Sequence, residues 1–312
     1  MTTADAVRRL VERGVLSADQ AEAVREELAL SHRLRRAPLA EVAGYLGGGL
    51  TLTGIVLLVA STWQRLSEFS RTLLVGGSAV LLLFAGVVVA GGLVRMVRRD
   101  VGAVRARLSG VLLGLAAVAV VMTVGIALPA ESGRWGLAGS FASGLVVAAA
   151  AYALLPTVAG LIAMAGLGFT TVVSFVDAIA GVGPLVMGLA LCGYGVVLTA
   201  AALGGLLRER PVGVGIGLGI SIFGAQQPLG GDGTAPWAYL LTLAIGVGCF
   251  LLYRWQRTWV PLVAGIVAVT LAVPEAVWDF TGGELAGAVL VLVAGAVLLI
   301  ASGLGLRLGK HD

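Results

Sequence analysis

The chain has 312 residues, 58% of them hydrophobic and only 12% charged, with a formal net charge of +4; its mean hydropathy is +1.00 and its isoelectric point about 9.5. These proportions exclude an ordinary soluble globular protein and make lipid the solvent of most of the chain. The basic excess argues against a nucleic-acid partner, because the arginines are scattered through short segments between apolar runs rather than gathered on one face.

Residues 1–38 are charged and amphipathic, with no short apolar core before a small-residue cleavage site, so targeting is expected to come from the first membrane span. The pattern predicts a cytosolic helical hairpin. Ala6, Val7, Leu10 and Val11 recur at helical spacing, Gly14 stops the first helix, and Ser17 caps a second helix starting at Ala18. That second helix sets Ala21, Val24 and Leu28 on one face, away from Glu22, Arg25 and Glu26. Neither helix is long enough to stand alone, so the apolar face, with Leu10, Val24 and Leu28, is expected to dock either as a structural tether or on a protein partner.

Apolar runs follow at 40–62, 72–94, 108–129, 135–154, 157–176, 184–206, 211–225, 236–253, 259–278 and 284–305. Each approaches the length of about 20 residues that a hydrocarbon core of about 30 Å requires. The fold class is therefore all-α, a polytopic membrane protein of about ten transmembrane helices over residues 39–306, with a short tail at 307–312. The uncharged stretch 135–176 is too long for one span, and Pro156 marks a tight turn within it. With the N-terminus inside, 18 of the 21 Lys and Arg fall on the cytosolic side, and only Arg65, Arg71 and Arg134 fall outside, among Glu68, Glu131, Asp177, Asp232, Glu275, Asp279 and Glu284. This asymmetry predicts both termini in the cytosol and an even number of spans.

Two stretches carry a family resemblance. Residues 10–24 read Leu-Val-Glu-Arg-Gly-Val-Leu-Ser-Ala-Asp-Gln-Ala-Glu-Ala-Val. In the first span Gly47, Gly48, Gly49 and Gly54 precede Val59, Ala60, Ser61, Thr62, Trp63, Gln64, Arg65 and Leu66. Together these resemble a predicted bacterial membrane-protein family, domain of unknown function 2157, whose glycine-rich first helix closes on an Ala-x-Asn-Trp motif. Here Thr62 stands in place of the Asn. The resemblance covers about the first 70 residues and implies a multi-pass protein of the bacterial cytoplasmic membrane, from a family without an established activity.

Gly44 with Gly48, Gly213 with Gly217 and Gly215 with Gly219 form small-xxx-small pairs that let helices approach closely in lipid. The seventh run is short and ends in Gln226, Gln227 and Pro228, which leaves open a half-helix or re-entrant element whose unwound backbone meets a substrate. Asp177, on the span that also carries Thr170, Thr171 and Ser174, and Glu275 and Asp279, four residues apart on one helical face, are the acids nearest bilayer depth. With Gln226 and Gln227 they are the candidate substrate or ion contacts, against the alternative that the acids sit in the wet interface. Trp63, Trp135, Trp237, Trp259 and Trp278 fall near span ends, as an aromatic belt does.

Cys192 and Cys249 lie in apolar runs, and His32 and His311 at opposite ends of the chain, so neither a disulfide framework, a metal site nor a catalytic dyad is expected. No cofactor is expected, because the Val212–Gly219 glycines lack the preceding strand of a dinucleotide loop. Nothing marks an enzyme. Two functions stay open: a small-solute transporter-like bundle, with 40–176 and 184–305 as two five-helix halves, or a non-catalytic membrane scaffold or sensor whose N-terminal hairpin binds a partner.

Overall fold

A computed structural model describes residues 65–281 except 99, 180 and 232, together with isolated positions outside that range. The chain divides into two units, Met1–Ser67 and Glu68–Asp312. In the first unit the described positions include a turn at residues 13–14. Gly14 takes a φ of +69°, the left-handed conformation that glycine adopts without strain. The Ser17 Oγ accepts from the Gln20 N–H at 3.2 Å, and the Gln20 Oε1 accepts from the Ser17 N–H at 3.0 Å. This reciprocal pair is a capping box, and it starts the helix where Ser17 predicts it. Leu10, Val24, Leu28, Gly44 and Gly48 lie outside the described residues, as do most of the first run and of the tenth.

The second unit is helical throughout its described part. Its helices are α1 (Glu68–Ala90), a short α2 (Leu93–Arg98), α3 (Ala103–Ala127), α4 (Gly133–Leu154), α5 (Val158–Ala178), α6 (Pro184–Leu203), α7 (Arg210–Gln226), α8 (Ala235–Gln256) and α9 (Trp259–Phe280). Eight of the described helices, all but α2, are long and apolar enough to cross a membrane, and no strand occurs among the described residues. The protein is an all-α, polytopic membrane protein.

Local chemistry explains the ends of these helices. The run expected at 72–94 stops at Ala90 because Gly91 and Gly92 take φ values of +87° and +98°. Their N–H groups donate back to Val88 O and Val87 O, both at 2.9 Å, which closes the helix. Pro156 does form a tight turn: α4 ends at Leu154, and Thr157 caps α5 by accepting from the Gly160 N–H at 3.1 Å. Short turns of this kind reverse the chain from one spanning helix to the next. Arg95, Arg98, Arg105, Arg107, Arg208, Arg210, Arg254 and Arg257 consequently collect at one end of the bundle, and Glu68, Glu131, Asp177, Glu275 and Asp279 at the other.

The seventh run is a helix along its whole length. α7 continues into a 3-10 turn at Gln227–Gly230, and the two together rise about 33 Å, enough for a full crossing. It is also the most enclosed described span, with 50% of its apolar stretch buried against 22–39% in the others. A half-helix is therefore not what Gln226, Gln227 and Pro228 signal; they form the tightened last turn of a full one.

Helices α1, α3, α4 and α5 pack as one group and α6 to α9 as another, joined through α5 against α6 and α7. Because lipid is as apolar as the side chains, close approach and interhelical hydrogen bonds hold such a bundle together. The Ser109 Oγ donates to Gly86 O at 2.6 Å, the Tyr194 hydroxyl to Ala165 O at 3.1 Å, and the Ser221 Oγ to Cys192 O at 3.4 Å. The tightest seam is α6 on α7, where a Cβ on Gly217 would sit 2.7 Å from Gly195 O. Gly213 meets Ala202 and Leu207 from the same face. The second glycine pair does something else. A Cβ on Gly215 would make ordinary contact with Val260 at 3.5 Å, and one on Gly219 would meet nothing, so these two do not draw helices together; they floor an apolar groove between α7 and α9.

Candidate functional site

Three helix ends at the acidic end of the bundle bring polar side chains together. α7 contributes Gln226 from its last turn, α8 contributes Tyr239 and Thr242 from its first two turns, and α9 contributes Glu275 and Asp279 from its last two turns. The four-residue spacing on α9 sets both carboxylates on one side of that helix. Pro274 sits inside the helix immediately before Glu275, and a proline there removes one rung of the backbone ladder.

The Gln226 Nε2 donates to the fully buried Thr242 Oγ1 at 3.4 Å, and the Gln226 side chain also reaches the Glu275 carboxyl. The Tyr239 hydroxyl meets the Asp279 carboxylate. Two acceptors are left over. The Gln226 Oε1 and the Glu275 Oε2 are both shielded from solvent and have no hydrogen-bond partner among the described residues. A buried oxygen left in this way costs about 1–3 kcal/mol, and more if charged, unless a donor reaches it. A proton on the carboxyl, an ammonium group or a hydrated cation would supply one.

The remaining sequence-derived candidates lie elsewhere. Gln227 turns toward α6, where its Cβ lies 3.4 Å from the position a Cβ on Gly188 would take. Asp177 ends α5, a helix packed mainly on α4, α3 and α6. There the Arg134 Nε stands 3.8 Å from the Asp177 Oδ2, and Arg134 Nη1 donates to Asp177 O at 3.1 Å, both side chains being more than half exposed. Asp177 is thus held in a surface ion pair on α5, while Gln226, Glu275 and Asp279 stand on α7 and α9. Tyr239 and Thr242 completed that site without a sequence signal, since a tyrosine and a threonine in an apolar run look like any other span residues.

Among the described residues no three His, Cys, Asp or Glu stand together as a metal-ligand set. No curated protein and no solved structure matches the chain. Residues 8–160, which end in the first turn of α5, match the model of a family described as Predicted membrane protein (DUF2157), so the similarity covers a longer segment than the first 70 residues.

Proposed function

We propose that the bundle is transporter-like and handles protons or a small cationic solute at the Gln226–Glu275 site. The observation that supports this reading is the pair of orphaned acceptors, Gln226 Oε1 and Glu275 Oε2, shielded from solvent near one end of the bundle. An acidic side chain at the centre of a span costs about 2.5–3.5 kcal/mol on insertion scales, and one kept within a span, as Glu275 is in the last turns of α9, is typically found where an ion or proton passes. Tyr239 on α8 and Asp279 on α9 offer a further polar step toward the acidic end. In this reading the arginine-rich end faces the cytosol, by the positive-inside tendency, and cations approach from the acidic side.

The test uses the full chain in proteoliposomes with a trapped pH-sensitive dye and with sodium, potassium or ammonium gradients imposed in turn. Wild type is expected to give a gradient-dependent dye response, Glu275→Gln to lose it, and Asp177→Asn to keep it. Equal responses from wild type and Glu275→Gln would refute the site. A protein captured from native membranes by the full chain, but not by one lacking residues 1–37, would instead favour the scaffold reading.

A further inference from the structure

At the opposite, arginine-rich end the turns between helices border a half-open cavity of about 790 Å³ among the start of α3, the α4–α5 turn and the α6–α7 connection. Its size falls in the range of about 300–1,000 Å³ that small-molecule sites occupy. Two guanidinium groups line it, Arg107 from the second turn of α3 and Arg208 from the α6–α7 connection. Neither has an ion-pair partner among the described residues. The connection is fixed in place because the Arg208 backbone N–H donates to the Tyr152 hydroxyl of α4 at 3.1 Å.

The N-terminus of α5 opens into the same cavity. Thr157 satisfies the N–H groups of Gly160 and Leu161, whereas those of Val158 and Ala159, which line the cavity, have no acceptor among the described residues. Free N–H groups at a helix start, with the helix dipole behind them, favour an anion. The fourth polar group is the Glu209 carboxylate, also on the wall. With two arginines it leaves a local excess of one positive charge, and it accepts hydrogen bonds that a phosphodiester, having no O–H at neutral pH, cannot donate. The other walls are apolar: Val111 on α3 and Ile162 on α5 are 48% and 55% exposed, on helices that face lipid.

We propose that this cavity binds an anionic glycerophospholipid, with the phosphodiester between Arg107, Arg208 and the α5 N-terminus. A hydroxyl of the headgroup donates to Glu209, and the acyl chains lie along Val111 and Ile162. Basic pockets between spans at one membrane face are the usual form of such lipid sites. The site shares no residue with the Gln226–Glu275 cluster and stands whether or not the bundle transports anything.

The experiment is native mass spectrometry of the full-length protein after exchange from mixed micelles of phosphatidylglycerol and phosphatidylcholine. Wild type is expected to retain phosphatidylglycerol selectively, and the Arg107→Gln/Arg208→Gln double variant to lose that preference by about 30-fold, from about 1 kcal/mol per arginine near an anionic surface. Arg254→Gln, at the same end but outside the cavity, is expected to retain it. Equal loss in Arg254→Gln would overturn the proposal in favour of diffuse attraction by the whole basic end. Displacement of the lipid by millimolar inorganic phosphate alone would overturn it in favour of a soluble-anion site. Should the double variant fail to fold, Ile162→Trp, which fills the apolar wall from an exposed position, is read instead; unchanged retention there would also count against the proposal.

Discussion

The α6–α7 seam allows a quantitative test of how the bundle is held together. Gly195 faces Gly217 and Ser221, and a Cβ added to Gly195 would lie 2.7 Å from the Ser221 backbone nitrogen, with Gly217 O and the Ser221 Oγ nearer still. Ordinary contact begins at 3.4 Å, so in Gly195→Ala the helices must part by about 0.7 Å or more. A gap of that size forfeits roughly a quarter to a half of the dispersion attraction along the neighbouring contacts. It also stretches the bonds that Cys192 and Ser221 make across the seam, at 3.3 and 3.4 Å. Overpacking of this kind costs about 1–3 kcal/mol, against about 0.5–1 kcal/mol that alanine gains over glycine inside a helix. Contacts this short place the cost in the upper half of that range, so the net expectation is a loss of about 1–2.5 kcal/mol, measured by reversible unfolding in SDS or by steric trapping in bicelles. Gly219→Ala, where the added carbon meets nothing, is the matched control and is expected to be at least as stable as wild type. Wild-type stability in Gly195→Ala, or equal losses in both variants, would refute the account of the seam.

Ser109→Ala removes the 2.6 Å bond to Gly86 O that ties α3 to α1 and is expected to cost about 0.6–1.7 kcal/mol in the same unfolding assay. Tyr152→Phe strips the acceptor from the Arg208 N–H; hydrogen exchange at residues 204–209 is expected to accelerate while α4 stays protected, with a stability loss of about 1 kcal/mol. Asp177→Asn breaks an exposed pair with Arg134, so its effect on stability is expected to stay below about 1 kcal/mol. A larger loss would mean that the pair is part of a network.

Ser17, Pro156 and the charge pattern show how far local chemistry reaches. Ser17 and Gln20 lie three residues apart, and their capping box depends on nothing beyond that spacing. Pro156 turns the chain because its ring removes a backbone donor, wherever the helices then pack. Hydropathy placed the described spans at nearly their observed ends, because a helix in lipid must satisfy its own backbone over a fixed thickness. The end of α1 was legible too, in the Gly91–Gly92 pair, but an apolar average over the run conceals it.

The site was only partly legible. Glu275 and Asp279 stand out because charge is rare in apolar runs, and their spacing on one helix is a local fact. Which of the other acids joins them is not local: Asp177 and Glu275 look alike in one dimension, and only the packing of α5 against α4 and of α9 against α7 and α8 separates them. The same holds for the glycines of α7, where Gly217 closes a seam and Gly219 floors a groove though they lie two residues apart. A period of 3.6 assigns residues to faces, but it does not say what each face meets. The amino-acid sequence by itself therefore determined the class, the described spans and the segregation of charge to the two ends, all of which depend on the solvent and on the nearest few residues. The tertiary structure alone decided which polar groups meet, which oxygens are left without donors and where two arginines border one cavity, since those depend on helices that are neighbours in space and distant along the chain.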